Sequence, residues 1–93
     1  MSNKLIITYD ISDDRLRTKF SKYLSKFGHR LQYSVFEIKN SPRILDNIKT
    51  KIIVHFEKRF KQADSVIIFH LSSSCEKICF GYAKNEDSEI LIV

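Results

Sequence analysis

Apolar residues recur along this chain in two different periods, and each change of period marks a new element. Leu5-Ile6-Ile7-Thr8-Tyr9, within residues 4–9, reads as a buried first strand. Leu16, Phe20, Tyr23, Leu24 and Phe27 then recur at helical spacing, which stacks them on one face of a 3.6-residue period. Ser12 is the predicted N-cap, Asp13 and Asp14 suit the positive end of the helix dipole, and Gly28 is placed for a left-handed stop. Arg30 to Lys39, with Leu31, Tyr33, Val35, Phe36 and Ile38, is rich in aromatic and β-branched residues and reads as a second strand. Ser41-Pro42 opens another helix, since proline costs nothing at the first helical position. Ile44, Leu45, Ile48, Ile52 and Phe56 supply its core face, and it should fade near Phe60. Asp64 to Leu71 and Glu76 to Tyr82 follow as strands, and Ser88 to Val93 as a short apolar one.

The order β-α-β-α-β-β with an extra C-terminal strand predicts an α+β sandwich of ferredoxin-like type. It should have a mostly antiparallel four-stranded sheet with two helices on one face. Gln32 and Ser34 suggest that the other face is partly polar. At 93 residues the chain reads as one domain, 1–93. A chain this small buries only about 60–65% of its unfolded surface, so dimerisation would help it. Glu89 to Val93 would be an aggregation-prone edge on a monomer. Residues 83–93 are therefore expected to serve as a docking segment for a second subunit or another partner.

Charge narrows the choice of partner. Sixteen Lys and Arg against eleven Asp and Glu give a net charge of +5, which favours polyanions over acidic proteins or neutral metabolites. No segment approaches the roughly 20 apolar residues of a membrane span, and no secretory leader is evident, so a cytoplasmic chain with no membrane partner is expected. Cys75 and Cys79 lack metal-ligand spacing and read as reduced thiols. His29, His55 and His70 are too scattered for a ligand set; His55 and His70 sit among apolar neighbours and read as partly buried, and His29 as a pH-dependent phosphate contact.

Arg15, Lys19, Lys22 and Lys26 share one helical stripe with no acid interleaved to neutralise it, the pattern of side chains that track a phosphate backbone. Lys39, Arg43, Lys49, Lys51, Lys58, Arg59 and Lys61 read as general solvation of the second helix and its flanks. Asp10 is a lone carboxylate where the first strand runs out. Such an acid often makes a turn or caps the next helix. Mg²⁺ usually takes one or two carboxylates plus water and substrate phosphate. A two-fold axis near the first strands would bring Asp10 to its own copy and create a site that neither chain has alone.

Tyr9-Asp10-Ile11-Ser12-Asp13-Asp14, Arg17, Gly28, Arg30 and Gln32-Tyr33-Ser34-Val35-Phe36-Glu37 closely resemble the CRISPR-associated protein two family. Asp64-Ser65-Val66 before an apolar strand is similar to that family as well, and the resemblance covers essentially the whole chain. It implies a ferredoxin-like homodimer with one Mg²⁺ or Mn²⁺ between the Asp10 residues of its two chains. It also implies metal-dependent endonuclease activity on single-stranded RNA, sometimes on duplex DNA, and a scaffold role beneath duplex DNA with a larger CRISPR integrase subunit. By matching position Asp10 would be the metal ligand, and Tyr9, Arg17, Arg30 and Phe36 would support catalysis. Arg15, Arg17, Lys19, Lys22, Lys26 and Arg30 would form the nucleic-acid surface. Lys19 stands where the family often has arginine, which keeps the charge but loses the bidentate fork.

Three functions remain open at this stage. The chain is a nuclease, or a DNA-binding scaffold whose catalysis is vestigial, or a VapD-type messenger-RNA-cleaving toxin of the same fold. One ion between two identical acids brings no dedicated general base, which favours the scaffold. An RNA-recognition-motif reader fits poorly, because the expected aromatic pattern is missing from the central strand.

Overall fold

The computed structural model describes residues 4–71 and 76–81. Strand β1 (Lys4–Asp10) leads into helix α1 (Asp14–Leu24), then strands β2 (Gly28–Gln32) and β3 (Val35–Ile38), helix α2 (Pro42–Lys51), and strands β4 (Ser65–Leu71) and β5 (Glu76–Gly81). The sheet is five-stranded, in the order β2-β3-β1-β4-β5, and every neighbouring pair is antiparallel. The first four strands and two helices form a βαββαβ ferredoxin-like unit, with β5 added beside β4. The predicted α+β class therefore holds.

The single strand expected over Arg30 to Lys39 is two strands. Tyr33 and Ser34 turn the chain, and the Ser34 carbonyl accepts a hydrogen bond from the Tyr9 N–H at 3.1 Å. A continuous β-forming composition hid that turn, because propensity measures fit to a half-buried pleated surface and does not exclude a reversal within it. Gly28 opens β2 and is not a left-handed helix stop. A Cβ there would lie 2.0 Å from the Glu37 carbonyl oxygen, so close approach of β2 to β3 excludes any side chain.

Side-chain alternation sorts the sheet into two faces. Leu5, Ile7 and Tyr9 of β1, Phe36 and Ile38 of β3, Val66 and Ile68 of β4 and Phe80 of β5 are buried with Leu16, Phe20 and Leu24 of α1. Ile48 of α2 and Ile52 and Phe56 beyond it complete that layer. Tyr9 meets Phe20 edge-on at 5.0 Å, and Phe20 meets Phe56 likewise at 5.0 Å. Each such large side chain, once fully buried, is worth about 1.5–3 kcal/mol of apolar transfer.

After α2 the backbone widens into a π turn (Ile52–Phe56) and closes with a 3₁₀ turn (Glu57–Arg59), so the helical segment ends where expected. The helix opens at Pro42, as predicted, and the Ser41 hydroxyl caps it by accepting from the Ile44 N–H. At α1 the predicted cap is displaced by one residue. Asp13, not Ser12, accepts from the Leu16 N–H, at 2.9 Å. Ser12 instead donates its N–H and its hydroxyl to Asp64 Oδ1, both at 3.0 Å, while the Lys61 N–H reaches Asp64 Oδ2 at 2.8 Å. Asp64 is 2% exposed, so this buried carboxylate joins the β1–α1 connection to the entry of β4. The predicted strand over Ser88–Val93 and the docking segment 83–93 lie outside the described residues, as does Cys75.

Burial alone would raise the Asp64 pKa, but the hydrogen bonds from Lys61 and Ser12 outweigh it and hold the carboxyl below the usual carboxylate range. A depressed folded pKa contributes stability that is complete above the unfolded value near 3.9 and is lost as pH falls through the folded value. Asp64→Asn should cost about 1–3 kcal/mol at neutral pH, because an amide cannot accept at both positions. In urea titrations the gap from the parent protein should narrow as pH drops below 4; a gap that stays constant to pH 2 would refute the ionised clamp.

Candidate nucleic-acid interface

Strand alternation separates the candidate residues. Tyr9 points into the helix-covered layer, whereas Asp10 follows it at the strand end, is exposed, and shares its parity with Ile6 and Thr8 on the open face. Asp10 pairs in register with Ser65 of β4. Among the described residues no group of three or more His, Cys, Asp or Glu side chains is gathered for a metal.

Tyr9, Arg30 and Phe36 come together on the helix side. The Arg30 guanidinium lies over the Phe36 ring, 5.3 Å from its centroid, and Phe36 stacks on Tyr9 at 6.2 Å. Burial pushes the Tyr9 phenol up, against the opposing pull of the nearby Arg30 charge and of a hydrogen bond with Ser21, so it stays a neutral hydrogen-bonding group at physiological pH. Arg30 keeps an exposed guanidinium edge while its plane is fixed by the ring beneath it.

Arg17 is less free. Its Nη1 donates to the Ile11 carbonyl at 3.0 Å, and its Nη2 pairs with Asp14. The Asp14 hydrogen bond is the main reason the guanidinium pKa is raised further. Arg17 thus ties α1 to the end of β1 and lies beside Tyr33, which is 67% exposed at the hairpin tip.

The basic stripe is where the helical period places it. Arg15, Lys19 and Lys22 are exposed on α1, and Lys26 is exposed in the turn just after it. Lys19, Lys22 and Lys26 line one wall of a groove of about 400 Å³, and Lys51, His55 and Arg59 line the other, above Leu16, Tyr23 and Phe56. Lys51 and Arg59 are therefore not mere solvation, and His55 is exposed in this groove and not partly buried. Their spacing of four residues was visible in the sequence, but only the packing of α2 against α1 shows that they face the stripe. His70 is half-buried in β4, and His29 lies 3.9 Å from Glu37 across β2 and β3.

A single exposed carboxylate with no hydrogen-bond or ion-pair partner among the described residues fits a water-rich divalent shell, which needs only one or two carboxylates. No helix among the described residues is long and apolar enough to cross a membrane.

Comparison with known proteins places the chain in a family. Residues 3–78 match the family model described as CRISPR associated protein Cas2. The chain is 33% identical over 73 residues to a CRISPR-associated endoribonuclease Cas2 of Methanospirillum hungatei, covering 78% of each chain. It is 44% identical over 48 residues to one from Thermus thermophilus, covering 52% of this chain and 51% of the relative, so that match spans about half of either protein. Among solved structures, a hypothetical protein from Thermus thermophilus superposes with a TM-score of 0.63 at 26% identity, over 76% of this chain and 83% of the other. With a family model matched over most of its length, this chain belongs to the CRISPR-associated Cas2 family.

Proposed function

We propose that the chain works as a homodimeric, nucleic-acid-binding scaffold of CRISPR spacer acquisition, docking a larger integrase subunit, with a secondary capacity for metal-dependent endonuclease chemistry. The observation that carries this is the composition of the open sheet face. Ile6, Val35, Ile67 and Phe69 are half-buried, Leu71 is exposed, and all share the side of the sheet opposite the helices with Asp10. In register, Ile6 lies opposite Phe69, and Thr8 lies between Val35 and Ile67. An antiparallel sheet with one solvated face ordinarily alternates apolar with polar residues, so this aliphatic and aromatic ladder favours a covered face. A second copy is the simplest cover, since an isologous interface uses one patch twice. It would also bring two Asp10 carboxylates to one seam.

The chain's own contribution to phosphate chemistry then follows. Asp10, with its copy, would hold a Mg²⁺ or Mn²⁺ ion. A bound divalent ion there supplies Lewis-acid polarisation of a phosphoryl oxygen. Arg30, held flat on Phe36, offers directed N–H donors to a phosphate, and Arg17 offers those not engaged by Ile11 and Asp14. Asp10 belongs to no group of three or more His, Cys, Asp or Glu side chains among the described residues, and one ion between two identical acids brings no dedicated general base, which is why scaffolding is the main role proposed. Relatives are named CRISPR-associated endoribonucleases, and that supports a nuclease capacity on RNA.

Phe69→Glu should convert a dimer to a folded monomer, read by light scattering with unchanged helical signal. A variant that remained dimeric would remove the sheet-face interface. Asp10→Ala should abolish any Mg²⁺-dependent cleavage of single-stranded RNA by purified dimer while leaving spacer acquisition with the integrase subunit intact. Loss of acquisition in step with cleavage would instead make catalysis the central role.

A further inference from the structure

The groove between α1 and the π turn holds more positive charge than a general scaffold surface needs. Its walls are two facing rows, Lys19, Lys22 and Lys26 on one side and Lys51, His55 and Arg59 on the other, and no carboxylate lines it. None of these six side chains is in an ion pair among the described residues. Their spacing has a structural cause. An α-helix turns once every 3.6 residues, so a row of every fourth residue drifts around its axis, and the wider π turn over Ile52–Phe56 slows that drift. Lys51, His55 and Arg59 consequently stay on the side that faces α1.

Tyr23 bridges the rows at the floor. The Lys51 ammonium lies 5.5 Å and the Lys26 ammonium 5.9 Å from its ring centroid, so one aromatic ring orients a cation from each wall. The Tyr23 hydroxyl donates to the Asn47 carbonyl at 3.3 Å, which holds the ring against α2. Beyond Lys19 and Arg59 the groove runs into a second depression that adds Arg15 and Lys61. The one acid there, Asp13, already accepts from the Leu16 N–H as the cap of α1.

We infer that this groove is a binding track for the sugar-phosphate backbone of a single nucleic-acid strand, separate from the open sheet face that carries Asp10. The proposal rests on the chain being a nucleic-acid binder. From Arg15 to Lys22 the α1 row extends about 10 Å along the helix at 1.5 Å per residue, and Lys26 continues it from the turn beyond, enough for a few successive phosphates. A groove of about 400 Å³ with cations on both walls lets the two rows reach one sugar-phosphate backbone from either side, which suits a single strand. Contacts made by lysine and arginine to phosphates position a strand without reading its sequence, so the track should accept RNA and DNA of any composition.

The test uses the intact protein and fluorescence anisotropy with a 12-nucleotide oligo(dT), a 12-nucleotide oligo(U) and a 12-base-pair DNA duplex. The pair Lys51→Glu with Arg59→Glu, and the milder pair Lys51→Gln with Arg59→Gln, are compared with Arg43→Glu plus Lys58→Glu, which changes as much charge outside the groove. Circular dichroism checks folding. The groove pairs should weaken both single strands at least ten-fold for Glu and three-fold for Gln, with less than half that effect on the duplex. Losing two phosphate contacts should also flatten the single-strand salt slope by about 1.4. Equal losses for groove and control pairs, or equal losses for single strand and duplex, would overturn the track while leaving nucleic-acid binding standing. A parent protein that binds none of the three would overturn both.

Discussion

The buried Asp64 carboxylate is the constraint on which the placement of every candidate group depends. Three donors from two separate loops converge on it, two from Ser12 after β1 and one from Lys61 before β4. A carboxylate so deeply buried is costly unless it is hydrogen-bonded, and a fully satisfied one becomes a rigid joint. This joint fixes where β1 ends and α1 begins, and thus where Asp10 emerges and which way the cationic stripe faces. Arg17 adds a second tie through the Ile11 carbonyl, and the Ser34 carbonyl holds the Tyr9 N–H, so the end of β1 is secured on three sides. A chain terminus or open loop could not hold a lone acid at one defined position.

The pleat of β1 has a functional consequence. Because successive side chains point to opposite faces, adjacent Tyr9 and Asp10 belong to different surfaces. Tyr9 joins Phe20, Phe36 and Arg30 beneath the helices, while Asp10 joins the apolar ladder of the open face. A strand one residue out of register would exchange the two and bury the acid. The Asp10–Ser65 pairing at the end of an unbroken seven-pair register between β1 and β4 prevents that slip. Within a single chain the acid and the ring-backed Arg30 therefore belong to opposite faces of the sheet.

Much of this was legible in the sequence, because periodicity reports burial directly. The spacing of Leu16, Phe20 and Leu24 found the inward face of α1, and that of Ile48, Ile52 and Phe56 found the inward face of α2 and its extension. What stayed hidden depended on partners distant in the chain. Asp64 read as the first residue of a strand, since nothing local tells of Ser12 bonding to it across 52 positions. Gly28 read as a helix stop because it follows a helix, when the reason for glycine is the Glu37 carbonyl on a neighbouring strand. Lys51 and Arg59 read as solvation because charge on one helix has meaning only relative to the charge it faces. The hairpin was missed for a related cause: Tyr33 and Ser34 are not strong turn formers, and the reversal is imposed by pairing of β2 with β3 and by the Tyr9–Ser34 bond.

The cationic rows also bear on stability. On α1 the pairs Arg15–Lys19 and Lys19–Lys22 stand at i,i+4 and i,i+3, and each like-charge pair of this kind is unfavourable by about 0.2–0.5 kcal/mol at a helix surface. Lys51, His55 and Arg59 then face them across a groove with no acid in its lining. The two lysines over Tyr23 offset part of this, at about 0.5–1 kcal/mol for an exposed cation–π contact. A protein selected only for solubility would reach the same net charge with acids interleaved at i+4, turning repulsion into attraction at no loss of core. Phosphates entering the proposed track would relieve the repulsion, so the same arrangement that weakens the free helix layer would strengthen its hold on a nucleic-acid strand. Salt acts on both sides of that balance: it screens the repulsion in the free protein and competes for the phosphates, so binding and stability should respond to ionic strength in opposite directions.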